Sequence, residues 1–131
     1  MLDYARLSAD YAASHRTEGN RRSHMIGIPL IVFAIVRWTQ IGSLFPLAAL
    51  VLPVYFLWNR RIGWIMTAFI ALCAAVGAFT PLRAALAAFV AGWLFQIYGH
   101  AVHEKNRPAL LDNLAHALVG PAFIAEKLFP R

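Results

Sequence analysis

The side chains able to do chemistry in this chain are gathered at its two ends. His15 and His24 precede a long apolar stretch, while His100, His103 and Glu104 follow it directly, with Asp112 and His116 a little further on. Neutral imidazoles with a carboxylate suit borderline divalent metals, Fe(II), Zn(II) or Cu(II), and iron is favoured where open positions must bind oxygen. Hard Mg(II) or Ca(II) would need more carboxylates than Glu104 and Asp112 supply. The one cysteine, Cys73, lies inside an apolar run, so it offers neither an intramolecular disulfide nor a thiolate ligand to these groups. No serine stands in a Gly-x-Ser-x-Gly elbow, which leaves a serine hydrolase unsupported.

Spacing says which of these groups can meet. His100 and His103 are three residues apart and His100 and Glu104 four, so all three share a helical face if the helix continues past Gly99. Pro108 disfavours helical geometry at Arg107, which predicts an end near Asn106. Gln96, one turn before His100, is expected to make an interhelical hydrogen bond or to orient that imidazole. At the other end Tyr4, Leu7, Tyr11 and His15 fall on one helical face. Gly19 and Asn20 suggest a break, with Asn20 as N-cap of the next helix. His15 then closes one helix and His24 opens the first apolar run. The segment "ALLDNLAHALVG" is amphipathic and is expected to lie over the site. Two plainer readings stand beside a redox metal site. One is a lipid-binding or scaffold protein with interfacial histidines; the other is a zinc-dependent lipid hydrolase with Glu104 as general base.

The elements that must position these groups are apolar. Of 131 residues, 60% are hydrophobic and 14% charged, with a mean hydropathy of +0.60. Soluble domains carry about 45–50% apolar and about 25% charged residues. All six acids and all five histidines lie outside residues 25–99, where the only charges are Arg37, Arg60, Arg61 and Arg83. These arginines divide the block into apolar runs at about 25–37, 44–58, 62–80 and 84–99. The expectation is an all-α, single-domain integral membrane four-helix bundle over residues 1–131, with short interfacial helices at both termini. Pro29, Pro46 and Pro53 make the first two runs either short spans or a re-entrant hairpin.

An even number of spans places both termini and the 59–61 loop on one face. That face carries ten of the twelve basic residues (Arg6, Arg16, Arg21, Arg22, Arg60, Arg61, Lys105, Arg107, Lys127 and Arg131), so the termini are expected to be cytoplasmic. All histidines and acids would share that surface. The basic residues flank apolar runs and form no stripe interleaved with aromatics, which argues against nucleic-acid binding. The N-terminal stretch has no apolar core and is not expected to be a signal peptide. Ala84, Ala88 and Gly92 form a small-residue pattern that lets membrane helices approach closely and allows a homo-oligomer. The preference for Arg over Lys favours a bacterial inner membrane over the endoplasmic reticulum.

The ordered motifs "YAASHRTEGNRRSHMIGIPL" and "FQIYGHAVHEKNRPALLDNLAHALVGPAFIAEKLF", with the apolar spacer between them, resemble the Mpo1-like family (domain of unknown function 962, YGL010w-like). The resemblance covers nearly the whole chain. It implies an Fe(II)-dependent dioxygenase of fatty-acid α-oxidation, acting with molecular oxygen on 2-hydroxy fatty acids and shortening them by one carbon. Carried over by position, it implies His15, His24 and His100 as iron ligands and Glu104 as the motif acid. Asn20 and Pro108 match framework positions. His103, on the same helical face as His100, is the expected fourth ligand, although the family pattern does not place a histidine there; His116 is a further candidate.

Overall fold

A computed structural model describes residues 3–41 and 45–130. Leu44, where the second apolar run begins, and Arg131, one of the counted basic residues, lie outside the described residues. The chain is all-helical apart from one short ribbon. Asp3 caps α1 (Tyr4–Ala13) through its carboxylate, which accepts from the amides of Ala5 and Arg6. After a turn at residues 14–17, α2 (Glu18–Trp38) begins, and its N-cap is Thr17, not Asn20. The Thr17 hydroxyl accepts from the Asn20 amide, so Asn20 is already inside the helix and fully buried. The first apolar run is therefore the later part of a longer helix with a polar first turn, and His24 lies within it.

The second run differs most from expectation. Gln40–Ile41 and Phe45–Pro46 pair antiparallel, and a 3₁₀ turn (Leu47–Val51) leads into the short α3 (Leu52–Trp58). Pro46 lacks a ladder donor and Pro53 is tolerated only in the first helical turn, so this segment cannot become one long helix. Asn59 caps α4 (Arg60–Gly77), and Pro81 precedes α5 (Leu82–Tyr98). A π-helical turn (Gly99–Glu104) prolongs α5. Lys105 then reverses the chain in the left-handed region at φ 55, and α6 (His116–Leu128) closes the fold. The amphipathic segment "ALLDNLAHALVG" is not one helix: a 3₁₀ turn (Ala109–Leu111) comes first, and Leu111 and Leu114 are exposed before α6 begins.

Among the described residues two helices, Arg60–Gly77 and Leu82–Glu104, are long and apolar enough to cross a membrane. Their outer faces are bare hydrocarbon: Leu72 of the first and Leu94 of the second are each 62% exposed. Such a continuous apolar surface marks contact with lipid or protein. α2 and α5 share the most extensive interface. It is made possible by Gly27 and Gly92, since a Cβ on either would come within 2.7 Å of the other's carbonyl oxygen. Gly92 thus does what the small-residue pattern predicted, whereas its neighbours are offset. Ala85 is fully buried, while Ala84 faces outward.

The remaining helices tie the chain's ends together. Leu7 and Tyr11 of α1 pack with Val119 of α6, and Tyr4 stacks on Trp58 at 5.0 Å. Tyr55 donates to the Leu118 carbonyl, and Arg61 donates to the carbonyls of Phe129 and Pro130. Both terminal helices and the 59–61 turn therefore meet at one end of the molecule. At the other end Arg37 donates to the Thr80 carbonyl.

Candidate metal centre

Three segments of the chain deliver one histidine each to a common point. His15 comes from the turn after α1, His24 from the second turn of α2 and His100 from the π-turn after α5. Their candidate ligand atoms all lie within 4.8 Å of one another, and this is the only such group among the described residues. The rings meet edge to face, with centroids 4.4 Å apart for His15 and His24 and 4.8 Å for each of these with His100. The three residues are 2%, 5% and 2% exposed.

Each ring has its tautomer fixed by an oxygen behind it. His15 Nδ1 donates to the Tyr11 carbonyl at 2.6 Å and His24 Nδ1 to the Asn20 carbonyl at 2.9 Å. A carbonyl only accepts, so in both rings Nδ1 carries the proton and Nε2 keeps its lone pair. His100 Nδ1 lies 2.7 Å from Asn106 Oδ1. The Asn106 amide is oriented in turn, because its Nδ2 donates to the Ser14 carbonyl. All three Nε2 atoms are thus acceptors, and that of His15 is buried without a hydrogen-bond partner among the described residues. Burial, opposed by the carbonyl bond and reinforced by the neighbouring rings, lowers His15 to about 4. Burial and the His15 ring lower His24 to about 3. Buried neutral imidazoles, each held from behind by an oxygen, fit a divalent metal as three ligands with further positions open.

The other sequence candidates stand elsewhere. His103, expected as a fourth ligand, is exposed, edge-on to Tyr98 at 5.3 Å and packed over Gly19. The cause is the π-turn, which spends an extra residue per turn and rotates position 103 off the face of His100. Glu104 turns its carboxylate toward the 14–20 turn. It accepts from the amides of Arg16 (2.8 Å) and Thr17 (3.0 Å), the Thr17 hydroxyl (2.8 Å) and Asn20 Nδ2 (3.1 Å). Burial alone would raise its pKa, but these four donors prevail and hold it at about 2. It latches the N-terminal turn to the end of α5. His116 is buried beside the cluster, its ring centroid 6.2 Å from that of Tyr11.

The cluster opens onto a cavity of about 320 Å³. Its walls run from the histidines along α2 (Ile28, Ile31, Ile35) and α5 (Trp93, Phe89), and α6 closes one side with Gly120 and Pro121. A second recess of about 190 Å³ reaches Tyr11, His15 and His24 from the polar side, between Arg21, Arg22 and Lys127. Sequence reasoning did not single out Asn106. It lies beyond the π-turn, where no helical period links it to His100.

Fold and site together define an all-helical protein with a buried three-histidine centre at the head of an apolar cavity. The chain belongs to the Mpo1-like family: the family described as 2-hydroxy-palmitic acid dioxygenase Mpo1-like matches residues 1–58 and 56–131. It is also similar to the 2-hydroxy-palmitic acid dioxygenase MPO1 of Saccharomyces cerevisiae, with 58% identity over 40 residues. That match spans 30% of this chain and 23% of the yeast protein. No solved structure matches the chain.

Proposed function

We propose that the chain is an Fe(II)-dependent dioxygenase of fatty-acid α-oxidation, cleaving a 2-hydroxy fatty acid to the acid one carbon shorter. The observation that carries this reading is the buried, neutral cluster of His15, His24 and His100 at the head of an apolar cavity. Three neutral imidazoles bring no negative charge, and Glu104 is fully engaged with the 14–20 turn. A divalent ion buried there needs an anionic partner, which the carboxylate of a 2-hydroxy acid supplies. Bound iron would provide a Lewis-acidic, redox-active centre that gathers hydroxy acid and oxygen.

The residues of the chain do the rest. Tyr11, Asn20 and Asn106 hold the imidazoles in their donor tautomers. The α2 and α5 walls take the acyl chain over roughly 16 Å, the helical rise from His24 to Ile35. Overall, the C1–C2 bond of the hydroxy acid breaks, and with one O₂ the products are the shortened acid, CO₂ and water. All four electrons come from the substrate, so no 2-oxo acid is consumed. The recess between Arg21, Arg22 and Lys127 gives polar access to the same centre and favours anions.

The same reading seats the four apolar runs of the sequence in a bilayer as short membrane segments, with both termini cytoplasmic and the bacterial inner membrane as the location. It is supported by the bare apolar faces of α4 and α5 and by the basic residues at the histidine end. The test is element-resolved metal analysis with oxygen uptake on 2-hydroxypalmitate. We expect about one iron per chain, lost in His15→Ala, His24→Ala and His100→Ala together with turnover. Full iron and turnover in all three variants would overturn the assignment, and zinc with oxygen-independent turnover would replace it with a hydrolase.

A further inference from the structure

Three polar side chains stand one helical turn ahead of the three clustered histidines: Tyr11 before His15, Asn20 before His24 and Gln96 before His100. All are buried, and each keeps one polar atom without a hydrogen-bond partner among the described residues: Tyr11 Oη, Asn20 Oδ1 and Gln96 Nε2. Native interiors hold few such atoms, and each one asks for an explanation. Asn20 is accounted for by packing. Its Nδ2 is bound to Ser14 and Glu104, and its Oδ1 sits where a Cβ on Gly99 would come within 2.4 Å.

Tyr11 and Gln96 differ, because both line the cavity that contains the histidines. The Tyr11 ring lies flat on His15, centroids 3.8 Å apart and planes 13° from parallel, which fixes the direction of its hydroxyl. Beside that buried hydroxyl is Gly120, where a Cβ would stand 3.4 Å from the oxygen, and Gly120 lines the same cavity. Gln96 Nε2 lies near the Gly27 crossing, just inside the apolar wall. The two groups are donors in a cavity whose histidine Nε2 atoms are all acceptors. A ligand placed among them must offer oxygens.

Resting on the function proposed above, we infer that Tyr11 and Gln96 are head-group binding residues. They donate hydrogen bonds to the carboxylate and hydroxyl oxygens of the 2-hydroxy acid and thereby set the preference for hydroxylated over plain fatty acids. A site built to bond a substrate hydroxyl discriminates against the analogue that lacks it, because a buried donor is then left unpaired. Neither group supplies or removes electrons.

The test is equilibrium binding of 2-hydroxypalmitate and of palmitate to the iron-loaded full chain without oxygen, with iron content and melting temperature measured alongside. Wild type should bind the hydroxy acid more tightly. Tyr11→Phe and Gln96→Met, both close in shape to the native residues, should each weaken 2-hydroxypalmitate about 10-fold and palmitate less, with iron retained. Wild-type preference unchanged in both variants overturns the inference alone. Equal weakening of both acids with loss of iron assigns the two residues to the scaffold and also overturns it. Wild type that holds iron but binds neither acid overturns the functional reading, and this inference falls with it.

Discussion

His100 and Asn106 are joined twice across the left-handed turn at Lys105. Nδ1 of the imidazole donates to the Asn106 side-chain oxygen at 2.7 Å, and the Asn106 amide donates to the His100 carbonyl at 3.2 Å. A residue outside the cluster therefore decides which nitrogen of His100 faces it.

Asn106→Ala should accordingly weaken metal binding by about 10–100-fold without removing a ligand. Asn106→Asp keeps an acceptor at the same place and should recover most of the affinity. Chelator competition on the purified chain measures both.

Glu104 makes stability depend on acid. Its carboxyl is held at about 2 against an ordinary 4.5, so the fold binds fewer protons there than the unfolded chain. The stabilisation is fully present above pH 4.5 and is lost as pH falls towards 2. Glu104→Gln should lower the melting temperature at pH 7 by roughly 5 °C and flatten the loss between pH 4.5 and 2. His15 and His24 are neutral in the fold and would charge in the unfolded chain below about 6.5. Their contribution falls in both proteins alike, and the difference between the two melting curves isolates Glu104.

The crossing of α2 and α5 should tolerate no added methyl. In Gly92→Ala the Cβ would stand 2.7 Å from the Gly27 carbonyl oxygen, an atom of backbone that cannot swing aside. The cost should be about 1–3 kcal/mol. Ala84→Leu, on the exposed face of the same helix, should be near neutral. Thermal unfolding in one detergent compares the two.

The far end of the cavity should set acyl length. Ile35→Trp adds bulk about 16 Å from the histidine end, counted by helical rise. It should leave metal content unchanged and shift activity towards shorter 2-hydroxy acids. Relative rates across a chain-length series provide the measurement, and a length profile identical to wild type would mean that the acyl chain lies elsewhere.

Much of this was legible in the sequence because charge in an apolar chain is expensive. The exclusion of acids and histidines from residues 25–99 leaves the chemistry to the two polar ends, and these ends are where His15, His24 and His100 meet. Local geometry was less legible. An α-helical period carried past Gly99 puts His103 and Glu104 beside His100, but the π-turn changes the rotation per residue: His103 faces outward and the Glu104 carboxylate goes to the 14–20 turn. Nothing in the spacing announces that extra residue. Asn20 and Thr17 are both good caps, and only the burial of Asn20 beneath Gly99 decides between them. Pro46 and Pro53 were visible as breaks. How much helix remained between them depended on the tertiary packing of Tyr55 against Ile62, Met66 and Ala122.

The Glu104 latch joins residues 88 apart in the chain, counting from Arg16. In a protein made from its N-terminus, His15 and His24 emerge long before the turn that completes their site. Closing so large a loop carries an entropic cost that only the finished tertiary contacts offset. On this ground the centre is expected to form late in folding. A partly made chain presents two imidazoles and no enclosing cavity, too little to capture an ion firmly. A metal bound by all three histidines would be selected only once the walls that exclude water are in place.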